Sequence, residues 1–193
     1  NSLKDITSQE LIKEFEGYTA CPYWDNDSYS IGYGYHFNDE NLVKEFKDAG
    51  VDLAVIDKIV KEYVPATNKS LGVKDGTQSC GTALPSITKE QASKLIPKKL
   101  ERAKKDAITF AGGESVFKSH PEDMQKVLID MAYNLGLGGL QKFTDMKKAL
   151  DAKNYNDVVI IASQAQYKPF SDMLIEHGAV TSLEERRWFA KEA

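Results

Sequence analysis

Apolar positions recur at helical spacing along most of this chain and give way to crowded aromatics in one stretch. Leu11, Ile12 and Phe15 form the apolar face of a first helix. Thr7 and Glu10 have capping-box spacing ahead of it, and Ile6 and Leu11 are placed to staple across the cap. Gly17 stops this helix and leaves Glu16 in its last turn. Between residues 18 and 37 the period changes. Tyr18, Tyr23, Trp24, Tyr29, Tyr33, Tyr35 and Phe37 surround a turn made by Asp25, Asn26, Asp27 and Ser28. Residues 30–35 read as a strand carrying Gly32 and Gly34, so a small β-hairpin or sheet is predicted here.

Helical stripes return at Leu42, Val43 and Phe46, and again at Leu53, Ile56, Ile59, Val60 and Tyr63. Residues 66–86 are rich in Gly, Ser and Thr and predict a long loop or second hairpin, a feature that is often functional in a compact domain. From Ile87 onward the pattern is helical. Thr88 and Gln91 have capping-box spacing and open a segment running to about Phe110. Met124, Val127, Leu128, Met131 and Leu135 keep the period of a buried helix that Gly136 closes. Thr144 begins a short helix with Met146 and Leu150, Asn156 caps another, and Ser182 with Glu185 caps a last one before Trp188 and Phe189. The order predicts an α+β fold, predominantly helical, over a single domain spanning residues 1–193. A small β-containing lobe occupies about residues 17–86, with a helical insertion at 38–86. A helical lobe is expected from about 1–16 plus 87–193, and a cleft between two such lobes suits an extended ligand.

Composition narrows the choice. With 41% hydrophobic and 28% charged residues the chain is globular, not disordered. A net charge of -4 argues against nucleic acid as a partner. The longest apolar run, residues 158–162, falls far short of the roughly 20 a bilayer span requires. Cys21 and Cys80 rule out a disulfide-rich scaffold and sit in no metal or redox motif; one bridge is open to them, but two free thiols are expected. His36, His120 and His177 have no ligand spacing, so neither metal nor cofactor is expected. The chain opens at Asn1 without a signal-peptide pattern, which reads as a processed protein or an excised domain.

Two carboxylates stand out. Glu16 in a last helical turn faces the negative end of the helix dipole, which favours its protonated form. Asp25 comes next, in the turn, with Asp27 as an alternative. A Glu and an Asp facing one another can cleave glycosidic bonds, one protonating the leaving oxygen and the other activating water. Gly32 and Gly34 weaken a strand unless something approaches the backbone, and a polysaccharide lying against it would do so. The nearby aromatics could then stack on sugar rings or fill a core.

Taken together, Glu16-Gly17, Tyr23-Trp24-Asp25 and Ser30-Ile31-Gly32-Tyr33-Gly34 closely resemble the active-site signature of phage-type (T4-type) lysozymes. Ile87-Thr88-Lys89-Glu90-Gln91-Ala92 resembles the start of that family's interlobe helix, and residues 127–136 resemble its buried central helix. Phe143-Thr144 resembles the Phe-Thr pair after that helix, and the helix at 184–189 resembles the family's C-terminal one. The resemblance covers roughly residues 8–36 and 87–190. It implies a muramidase that hydrolyses the β-1,4 bond between N-acetylmuramic acid and N-acetylglucosamine in peptidoglycan, with inversion. Glu16 would be the general acid, Asp25 would position or deprotonate the attacking water, and Ser30 would help hold that water. Tyr33, Gly34, His36 and Asn134 would contact substrate.

The chain also departs from the family. Ser30 replaces a threonine and comes only four residues after Asp25, one fewer than the family spacing. Tyr35 stands where the family has histidine, with His36 one position on, and residues 38–86 match no family element. An acidic chain gains little long-range attraction to an anionic wall, which fits delivery by a larger phage tail or virion assembly as well as a free endolysin released at lysis. The alternatives are a lytic transglycosylase, which keeps Glu16 but makes an anhydro-sugar, and a non-catalytic wall-binding or tail-structural module.

Overall fold

The structure, a computed structural model, describes residues 8–164. The cap at Thr7 with Ile6, the last helix with Ser182, Glu185, Trp188 and Phe189, His177, and the side chains of Leu11 and Phe15 lie outside the described residues. The fold is α+β and predominantly helical, with one small antiparallel sheet among the described residues. Two compact units divide it, one of Ile12–Lys99 and one of Asn1–Leu11 with Leu100–Ala193. The division falls within helix α1 (Ser8–Glu16) and within the long helix α4 (Lys89–Ala111).

In the Ile12–Lys99 unit, α1 stops at Gly17, whose N–H donates to the Lys13 carbonyl at 3.3 Å. Strands β1 (Thr19–Asp25), β2 (Ser28–Gly32) and β3 (Tyr35–His36) then pair in chain order. The first hairpin turns at Asn26 and Asp27, with Asn26 at φ +59°, a conformation its short polar side chain tolerates. Tyr23 lies opposite Ser30, Asp25 opposite Ser28 and Ser30 opposite His36. With a side-chain period of two, this register puts Asp25, Ser30 and His36 on one face of the sheet. Tyr29, Ile31, Tyr35 and Phe37 are buried and form the core beneath.

Helices α2 (Leu42–Asp48) and α3 (Leu53–Lys58) come next, and α3 passes directly into a π-helical turn over Ile59–Tyr63. Leu42 and Phe46, one helical turn apart, are buried, whereas Val43 is exposed. Val43 lies at the edge of this face, about 60° round the helix from Phe46, and is left to solvent. The second stripe is likewise buried only at Ile56, Ile59 and Tyr63; Leu53 is 62% exposed and Val60 also faces solvent. The change from α to π winding at Ile59 breaks the constant period on which a single stripe depends.

Residues 66–86 form the predicted long loop and not a second hairpin, and the loop lies as a strap along β1. Ala20 donates to Thr77 O at 2.9 Å, Val73 donates to Pro22 O at 2.8 Å, and Ile87 donates to Ala20 O at 3.0 Å. Thr19 Oγ1 donates to Asp75 at 2.8 Å, and the hydroxyls of Tyr29 and Tyr63 donate to the carbonyls of Asn68 and Leu71. These bonds cover what would otherwise be an open sheet edge. They also bring Cys80 to Cys21. The two form a disulfide with Cα atoms 5.9 Å apart, which overturns the expectation of free thiols. The strap that aligns them is tertiary, and a separation of 59 residues along the chain gives no sign of it. The predicted capping box opens α4, with Thr88 N–H on Gln91 Oε1 and Gln91 N–H on Thr88 Oγ1, both at 3.0 Å.

The other unit, over its described residues, is built from helices. The second half of α4 joins α5 (Glu114–Ser119), α6 (Glu122–Gln141), α7 (Thr144–Asp151) and α8 (Tyr155–Gln164). Ala103, Ala107, Phe117, Val127, Leu128, Met131, Met146 and Leu150 are buried between them. Gly136, at φ +67° and ψ 177°, ends the regular winding of the predicted helix, and a further helical stretch resumes beyond this kink. The cap of α8 is Asn154, two residues ahead of the expected Asn156: its Oδ1 accepts from Asp157 N–H at 3.3 Å. Two asparagines this close offer the same cap chemistry, and Lys153 at φ +57° already ends α7 with Asn154 in place.

Candidate active site

The Ile12–Lys99 unit holds every predicted site residue except Asn134. Asp25 ends β1 with its side chain 35% exposed, whereas Asp27 in the turn is exposed. Burial pushes the Asp25 carboxyl above the usual carboxylate range. The negative charge of Asp75 on the strap and that of Asp27 push the same way, and the Lys99 ammonium opposes them. The result is a carboxylate with more than ordinary affinity for a proton, set where solvent still reaches it.

Ser30 is wholly buried (0% exposed), and its Oγ lies 2.8 Å from His36 Nδ1. The same nitrogen is 3.8 Å from Asp25 Oδ2, and the imidazole is 22% exposed. Serine, histidine and aspartate together suggest a nucleophilic triad, but that chemistry needs hydroxyl and carboxylate on opposite ring nitrogens. Here both face Nδ1, so the ring relays no proton between them. What Ser30 holds in this structure is the imidazole, and the imidazole stands beside Asp25.

Glu16 closes α1, and its carboxylate rests against the backbone of Gly34. A Cβ at Gly34 would come 2.6 Å from Glu16 Oε2 and 3.0 Å from its Cδ, and Gly34 sits at φ +75°. Position 34 therefore requires glycine for both space and backbone conformation. At Gly32 the approaching atoms are Ala92 Cβ and Ile87 Cδ1, at 3.1 and 3.3 Å. The predicted strand over 30–35 is broken by a turn at Tyr33 and Gly34, and Gly32 and Gly34 make room for other parts of the protein, not for the polysaccharide that the sequence suggests. Tyr33 is buried beside Tyr18, ring centroids 5.9 Å apart, with Lys13 Nζ 5.8 Å above its ring. Tyr23, Tyr29 and Tyr35 are also core residues, while Trp24 is half-buried under Lys69. Asn134 belongs to the helical unit, where its Nδ2 donates to the Asp130 carbonyl at 3.1 Å.

Sequence reasoning misses Lys99. It is 8% exposed, its Nζ donates to the Gly34 carbonyl at 2.7 Å, and it lies 5.5 Å above the Tyr35 ring. Tyr35 in turn donates to the buried Glu45 at 2.9 Å. A signal is present: Lys99 continues the helical stripe Ala92, Leu95, Ile96 toward Ala103, so the period alone places it on the buried face of α4. No cluster of His, Cys, Asp and Glu among the described residues could hold a metal ion.

No family model matches this chain. It is 26% identical over 152 residues to the pre-baseplate central spike protein Gp5 of Enterobacteria phage T4, an alignment covering 78% of this chain and 23% of that protein. A 42-residue segment is 81% identical to the bifunctional purine biosynthesis protein PurH of Bacteroides thetaiotaomicron, 22% of this chain and 8% of that protein. The matches therefore span less than a quarter of either relative's length.

Proposed function

We propose that the chain is a peptidoglycan muramidase. The observation that carries this reading is the presence in one unit of two differently housed carboxylates: Glu16 seated against the Gly34 backbone, and a proton-affine Asp25 at the end of β1. In this mechanism the Glu16 carboxyl protonates the glycosidic oxygen as the bond breaks. Asp25 takes a proton from the attacking water, and its raised proton affinity makes it a stronger base than an ordinary carboxylate. Ser30 fixes the His36 ring beside it. Tyr33 and His36 are the proposed substrate contacts within this unit. The acid and base between them complete the hydrolysis without metal or cofactor, and the resemblance to phage-type lysozymes implies inversion.

The likeness to a phage baseplate spike protein supports a virion setting and favours a second reading, a structural or wall-binding module of a larger assembly. The short match to the purine biosynthesis protein covers too little of that protein to support its activity here. A digest of purified peptidoglycan read by mass spectrometry, with Glu16→Gln in parallel, separates the readings. Reducing N-acetylmuramic acid ends, lost in the variant by about 10²–10⁴-fold, are expected. Products one water lighter would indicate a lytic transglycosylase. Two folded, wall-bound but inactive proteins would leave the structural module.

A further inference from the structure

We propose that Lys99 is a positioning residue of this site, its buried ammonium holding the Gly34 peptide against the Glu16 carboxylate. The proposal rests on the muramidase reading and extends it. Three observations converge on this side chain. Its Nζ donates to the Gly34 carbonyl at 2.7 Å from a position only 8% exposed. Gly34 is the residue whose backbone the Glu16 carboxylate touches, so whatever fixes the Gly34 peptide fixes one wall of the acid's seat. The ring of Tyr35, 5.5 Å from Nζ and tied through its hydroxyl to Glu45, forms the floor on which the ammonium sits.

A buried lysine is unfavourable for stability unless something compensates for its lost hydration. A helix stripe of Ala92, Leu95 and Ile96 would accept leucine at 99, so the charge calls for a reason beyond packing. The groups facing Asp25 supply one. Asp27 from its own turn and Asp75 from the strap both favour its protonated form, as does burial. His36 on β3 opposes this only when its ring is protonated. The Lys99 ammonium on α4 opposes it. Asp25 must be ionised to act as the base, and the Lys99 charge favours that form.

The test compares wild type with Lys99→Met, which keeps the stem and removes charge and donor, and Lys99→Gln, which keeps a donor without charge. Carboxyl ¹³C titration monitored by NMR reads Asp25 and Glu16 directly, whether or not the protein is active. In both variants the Asp25 midpoint should rise by about one pH unit. The Glu16 and Gly34 resonances should move most in Lys99→Met. On peptidoglycan, kcat should fall about 10- to 100-fold in Lys99→Met with KM changing far less, Lys99→Gln should recover part of it, and the acid limb should shift upward in both. A folded Lys99→Met with the wild-type Asp25 midpoint, acid limb and kcat overturns the proposal, as does a variant pair that changes only thermal stability. If wild type releases no reducing ends, the muramidase reading falls and the catalytic consequence with it, while an unmoved Asp25 midpoint would overturn the electrostatic part as well.

Discussion

The two units reach order by different means. The helical unit buries alanine, leucine and methionine between helices that are near neighbours along the chain. The Ile12–Lys99 unit joins distant stretches: a disulfide from β1 to the strap, tyrosine hydroxyls on strap carbonyls, and a lysine ammonium on a strand carbonyl. It also breaks local rules. Lys99 and Glu45 are buried, Gly34 stands where no other side chain fits, and Asp25 is held among like charges. Departures of this kind are expected to gather where a protein gives up stability for function. The contrast teaches that the helical unit is ordered by the apolar period, whereas the other unit is ordered by pairings chosen for what they position.

Several perturbations sharpen or break this contrast. The largest is expected from Cys80→Ser. Opening the ring between Cys21 and Cys80 should lower the unfolding free energy by about 4 kcal/mol in the loop-entropy model, read by denaturant titration. A change below about 1 kcal/mol would show that the strap's hydrogen bonds suffice alone. Next comes Leu128→Ala in the helical unit, where a fully buried leucine should cost about 3 kcal/mol through the cavity it leaves. A much smaller loss would mean that this core relaxes around the gap.

Smaller effects are expected from titration. His120 is buried in the helical unit with Nδ1 2.7 Å from the Tyr155 hydroxyl, and burial lowers its proton affinity. Its folded pKa lies below its unfolded value, so the unfolded chain binds more protons as pH falls below about 6.5, and stability drops there. Thermal melts at pH 7.5 and 5 should differ by about 2 °C more in wild type than in His120→Gln. Asp25 has the opposite sign. Its folded pKa is raised, so the folded state is the one that holds the proton more tightly, and ionisation at neutral pH weakens the fold. Asp25→Asn should therefore abolish activity yet raise the melting temperature at pH 7 by about 1 °C, an advantage that disappears in acid. A destabilised Asp25→Asn would show that this carboxylate serves the structure instead.

Legibility in the sequence divides by separation along the chain. The hairpin, the Thr88–Gln91 capping box, the long helix after it and the break at Gly136 all rest on neighbours within a few residues, and they stand where the pattern puts them. The strap, the disulfide and the grip of Lys99 on Gly34 join positions far apart, and no local period encodes them. Leu53 and Val60 mislead because helical spacing marks a face without saying what packs on it. At the site, the types and order of Glu16, Asp25 and Ser30 are legible. That Ser30 is wholly buried behind the imidazole is not, since it depends on how β3 registers on β2.

The disulfide has a topological consequence. Together with the backbone from Cys21 to Cys80 it makes a covalent macrocycle that contains Asp25, Ser30, Gly34 and His36. A single cut anywhere on that circuit, such as in the exposed stretch near Lys69, opens the circle without dividing the molecule. The severed ends stay tethered, and the fragments part only when the sulfur–sulfur bond is reduced. A protein that met proteases on its way to a substrate would carry these residues through a first nick as one covalent piece.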